Sequence, residues 1–190
     1  QSSSDFIYAI IIEEYGLNDD RPTEVLYAAK SLSRFMGKAG ELLFENRTDE
    51  AFLHHMIGIE IALVRSADAI GKVVSTRLAV LTHRKANKDY LSQKKHVTEL
   101  YQRRSQYVHE GCIKPTHEGE AQWEINQISL DEASRLSMEL LMWLLRVNRK
   151  KEEGHGPTIN DLLKTLDLMA SAYEANRPPD DGFYRDLKIE

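Results

Sequence analysis

Apolar residues recur at helical spacing along most of this chain. After Pro22, the stretch TEVLYAAKSLSRFMGKAGELLF places Leu26, Ala29, Leu32, Phe35 and Met36 on one face, with Thr23 positioned as an N-cap. A second helix is predicted from Thr48, where acidic residues in the first turn suit the positive end of the helix dipole. Phe52, Met56, Ile59, Leu63 and Ile70 recur along it, and KVVSTRLAVLT either continues it past Gly71 or forms a short helix of its own. A third runs from Lys88 to Val108 and is stopped by Gly111 and Pro115. The stretch CIKPTHEGEAQWEINQIS, at 112–129, mixes turn formers with isolated apolar residues and reads as a long loop. A fourth helix starts at the capping-box pattern SLDE, 129–132, and a fifth follows Thr158 with Ile159, Leu162, Leu163, Leu166 and Met169 inside. The fold class is all-α, an antiparallel bundle of four to five helices.

The domain organisation follows from the same pattern. Residues 23–175 form the helical domain. Residues 1–22, with the run FIYAIII, are ambiguous between strand and buried helix and read as the end of an upstream domain. Residues 176–190, with Pro178 and Pro179, read as an irregular tail. No apolar run reaches bilayer length, so no membrane partner is expected. The single cysteine, Cys112, excludes an internal disulfide framework and suits a reducing, cytoplasmic compartment.

Within the third helix, Val97, Leu100, Tyr101 and Val108 form one stripe, and the position between Tyr101 and Val108 on that stripe is Arg104. A guanidinium among apolar neighbours needs a partner. Either a carboxylate inside the bundle holds it, with Glu60 in IGIEIALV as the candidate, or the position faces a cleft or interface. His109 stands five residues later, which turns it about 140° from Arg104 on a straight helix. Convergence requires the helix end to relax, a long reach by the arginine, or a second subunit. At a helix C-terminus the dipole favours protonated imidazole and nearby arginines oppose it, a balance suited to acid–base work.

Charge is uneven. The chain carries −5 overall, yet from His83 to Arg104 seven basic residues face only Asp89 and Glu99. Arg84, Lys85, Lys88, Lys94 and Lys95 could steer a polyanion to one side. His54 and His55 with Glu50 and Glu60 lack a recognised metal spacing, so no metal site and no cofactor are expected.

The stretch LYQRRSQYVHEG resembles the signature of the HEPN superfamily, an arginine followed after four to six residues by a histidine. The closest likeness is to the Apea-like HEPN group, carried by Leu100, Tyr101, Arg104, Ser105, Val108, His109 and Gly111. Glu110, between His109 and Gly111, departs from that pattern. The resemblance implies a metal-independent endoribonuclease of defence or toxin type, with Arg104 and His109 catalytic and a cyclic phosphate as product. It implies a composite site at a homodimer interface, with the Arg104 stripe facing the partner chain. Ser105, Gln106 and Arg103 would support the site, the basic residues at 84–95 would track the RNA backbone, and upstream sequence would act as sensor or regulator. The alternative is a non-catalytic HEPN module that binds RNA or dimerises.

Overall fold

The computed structural model describes residues 23–65, 69–114, 121–151 and 158–187. The expectations for 1–22 lie outside the described residues. Within them the chain is all-helical, with α1 Glu24–Phe44, α2 Thr48–Leu63, α3 Ile70–Thr82, α4 Tyr90–Glu110, α5 Gln122–Lys151, α6 Ile159–Glu174 and a six-residue α7 Asp181–Asp186.

The helix starts are built by side-chain acceptors. Thr23 accepts from the Leu26 N–H, Asp89 from Ser92, and Thr158 and Asp161 form a reciprocal capping box. A three-residue turn, with Asn46 in the left-handed region, folds α2 back along α1. The two approach closely at Gly58, where a Cβ would lie 2.9 Å from Leu32 Cδ1 and 3.0 Å from Phe35 Cβ. Helices α1, α2 and α5 pack against one another, and α3 packs on α4 and α6. Leu32, Phe52, Met56, Ile59, Leu63, Leu78, Leu136 and Leu140 fill the shared core. Such a bundle is the arrangement that buries one apolar stripe per helix.

Three expectations need correction. The second helix does not reach Ile70: Val64 turns extended after Leu63, and Ala69, with φ 52°, precedes a separate α3. The long loop is shorter than its composition implied, because α5 already starts at Gln122. Ser129 is therefore not a cap. It lies buried inside α5 and donates to the Ile125 carbonyl, 2.7 Å away, while Gln122–Asn126 and Gln127–Asp131 bonds brace the exposed side of the added turns. Finally, the tail is not irregular throughout. Helix α7 places Tyr184 in the core beside Tyr173 and His83, and the Trp143 indole donates to the Leu187 carbonyl at 2.9 Å.

Candidate functional site

Helix α4 enters the bundle with Val97 and Leu100 fully buried. One turn on, Arg104 points at Glu60 of α2. Its Nη2 donates to Glu60 Oε2 at 3.0 Å, and its Nε lies 2.7 Å from Oε1 as an ionic contact, not an aligned hydrogen bond. The arginine and glutamate side chains are only 21% and 14% exposed, so solvent screens the pair poorly. Glu60 engages the Nε/Nη2 edge of the guanidinium, and among the described residues no acceptor takes Nη1.

Tyr101 completes the setting. The Arg104 guanidinium lies 5.7 Å from its ring centroid, within cation–π range. Burial, then the negative charge of Glu60, pushes the Tyr101 hydroxyl above its ordinary pKa. The ring fits because residue 71 has no side chain: a Cβ there would come within 2.7 Å of Tyr101 Cδ1 and Cε1. Sequence reasoning found Glu60 because it interrupts an apolar run. It did not find the part played by Gly71, which depends on a contact between α3 and α4.

His109 is exposed in the last turn of α4. The helix continues through Glu110 and ends at Gly111, whose φ of 75° and N–H to the Tyr107 carbonyl form a left-handed cap. The helix end therefore does not relax, and within one chain Arg104 and His109 remain about 140° apart. The stripe also faces the chain's own core rather than a partner, because Val97 and Leu100 are covered within the monomer. Only Val108, half exposed, emerges beside His109. Ser105 and Gln106 are half-buried between the two. Glu110 binds Lys114 at 2.6 Å, which draws its charge away along the helix end.

The remaining candidates lie elsewhere. Arg103 donates to Ser129 Oγ at 3.0 Å and ties α4 to α5. Lys94 and Lys95 stand at the opposite end of α4 from His109, about 20 Å along the helix axis. Arg84, Lys85 and Lys88 lie in the preceding turn. The structure thus does not gather the basic run and the Arg104–His109 pair into one pocket.

A second polar cluster went unseen in the sequence. His96 of α4 bonds Glu132 at 2.6 Å, and Arg135 bridges Glu132 and Glu139. Burial alone raises a carboxyl pKa, but hydrogen bonds from His96 and Arg135 outweigh it and bring Glu132 down to about 2. The Glu132–Arg135–Glu139 spacing was its available signal, since i, i+3 and i, i+4 pairs share a helix face. With Arg103–Ser129, this cluster shows α4 and α5 running antiparallel.

Among the described residues no group of three or more His, Cys, Asp or Glu is placed to hold a metal ion, and no helix is long and apolar enough to cross a membrane. No family model, no curated protein and no solved structure matches the chain.

Proposed function

We propose that the chain is a HEPN-type, metal-independent endoribonuclease of defence or toxin type whose site is completed by a second copy. The observation that carries this reading is the division of labour on α4. Among the described residues Arg104 is held by Glu60 through Nε and Nη2 alone, while His109 stands in solvent at the end of the same helix. One chain keeps the two apart; two chains meeting near the α4 C-terminus would bring two His109 imidazoles to one cleft, and Arg104 serves a phosphate there by exchanging its contact with Glu60 for it.

The residue types suit RNA transesterification. The 2′-hydroxyl loses a proton as its oxygen attacks the adjacent phosphorus. The bond to the 5′-oxygen breaks, that oxygen gains a proton, and a 2′,3′-cyclic phosphate remains. One His109 takes the first proton and the partner copy's histidine gives the second. Arg104 stabilises charge on the phosphoryl oxygens. The basic residues at 84–95 bind backbone phosphates beyond the cleft. The reading places the protein in the cytoplasm, with upstream sequence as its sensor.

One observation favours the non-catalytic alternative: Glu60 already neutralises Arg104, as in a purely structural ion pair. Cleavage of labelled RNA by the native protein and by His109→Ala separates the two. The ribonuclease reading expects cyclic-phosphate products, unaffected by chelator and lost in the folded His109→Ala variant. Equal cleavage by that variant, or RNA binding with no cleavage, overturns it.

A further inference from the structure

The basic run before and within α4 is partly covered by the chain's own C-terminal elements. Arg84 donates to Asp181 of α7 at 2.7 Å, and its guanidinium carbon lies 3.5 Å from the centroid of the Tyr184 ring. Lys94 donates to Glu174, the last residue of α6, at 2.6 Å. Lys85, Lys88 and Lys95, within four residues of Arg84 or Lys94 in the sequence, are exposed, with Lys95 loosely opposed by Glu99 at 4.0 Å. Asp89 is committed to Ser92 as the α4 cap.

We propose that Glu174 and Asp181 act as internal stand-ins for RNA phosphates, occupying two of the five cations on this strip until a single-stranded RNA backbone displaces them. The inference rests on the RNA reading given above and adds a regulatory contact to it. Asp181 is 79% exposed and Glu174 44%, so a competing anion reaches both pairs from solvent. Ion pairs as open as these are weakly held. A phosphate offers Arg84 the same oxygen pair that a carboxylate does. Tyr184 is fully buried, so the aromatic platform under Arg84 stays in place when Asp181 leaves. Binding then exchanges carboxylates for phosphates at fixed cations, which lowers affinity and salt sensitivity below what five open cations would give.

The test uses the full chain carrying His109→Ala, so that RNA is not consumed, with a labelled oligouridylate as probe. Glu174→Gln with Asp181→Asn uncovers Lys94 and Arg84 without disturbing Tyr184. The plot of log affinity against log salt steepens by about 0.7 for each uncovered cation, about 1.4 for both. Glu41→Gln with Glu45→Gln removes the same net charge from pairs at the far end of α1 and leaves the slope unchanged. Equal steepening in both variants would show a diffuse charge effect and overturn the proposal. Unchanged slopes in both, including no RNA binding by any variant, overturn it as well. Cleavage is scored separately on the chain with native His109. If that chain cuts no RNA while the slope still steepens, the ribonuclease reading fails and the covered strip stands.

Discussion

Arg104 and His109 leave the same helix in directions about 140° apart, one into the bundle against Glu60 and the other into solvent. Their stability effects should differ accordingly. His109→Ala removes an exposed side chain and should change unfolding free energy by less than about 0.5 kcal/mol. Glu60→Ala strands a mostly buried guanidinium and should cost about 2 kcal/mol. The double variant Glu60→Leu with Arg104→Leu removes both charges and should recover most of that loss. Urea unfolding of the three variants checks this, and a double variant no more stable than Glu60→Ala would show that the loss does not come from a stranded guanidinium.

The close packing at Gly58 makes a second prediction. Alanine favours a helix interior over glycine, so an open site would gain stability by about 0.5–1 kcal/mol. Here the added methyl meets Phe35 Cβ, an atom fixed near the α1 backbone, at 3.0 Å. Gly58→Ala should therefore destabilise by about 1–2 kcal/mol as α1 and α2 are forced apart. A methyl added at Gly37 would meet nothing within 4 Å, and Gly37→Ala should raise Tm. A rise in Tm for both variants would show that the α1–α2 interface yields easily.

How far the sequence reached can be judged from these same residues. The periodicity located α1, α4 and α6 because each apolar stripe is long, and the caps Thr23 and Thr158 stood out by their oxygen-bearing side chains, whereas the α4 cap, Asp89, lies inside the stretch read as helix from Lys88. Glu60 was readable because a lone acid in an apolar run stands out. Three things were hidden by non-local contacts. Ser129 has the sequence environment of a cap, yet it sits inside α5 because Arg103 of α4 and the Ile125 carbonyl satisfy its hydroxyl. Tyr184 follows two prolines and looks like tail, yet it fills a space between His83 and Tyr173. The stripe around Arg104 looked suited to a partner chain, whereas α2 and α3 of the same chain cover most of it.

The docked C-terminal segment should contribute substantially to stability. Tyr184 is fully buried, and truncating a buried aromatic costs about 3–5 kcal/mol. Tyr184→Ala should unfold at much lower urea, while Tyr184→Phe keeps the ring and loses only the hydroxyl contact to Tyr173. Trp143 reports the event, because its indole binds the Leu187 carbonyl and is buried, whereas Trp123 is solvent-exposed. Detachment of α7 ahead of the bundle would appear as a Trp143 emission shift preceding loss of helical signal. A Tyr184→Ala variant as stable as the native chain would show that α7 adds nothing to the core.

Buried His55 and half-buried Glu132 shape the acid limb of stability in adjoining pH windows. His55 lies in the core with Nδ1 3.1 Å from Ser137 Oγ, and burial, with the nearby charge of His54, lowers its pKa from 6.5 to about 4. The unfolded chain therefore binds a proton at higher pH than the native one. Stability is full above pH 6.5 and falls as pH drops towards 4, by about 3 kcal/mol across the window. Glu132 titrates lower, from an ordinary 4.5 down to about 2 in its contacts with His96 and Arg135. Its depressed pKa stabilises the fold above pH 4.5, and that contribution is lost between 4.5 and about 2. Urea unfolding at stepped pH should show both slopes. His55→Leu should reduce the upper slope to the part left by His83, whose pKa burial also lowers, and Glu132→Gln should flatten the lower one alone. A native curve flat from pH 6.5 to 4 would mean that His55 takes up its proton without leaving the core, and that the packing of α2 against α5 tolerates the charge.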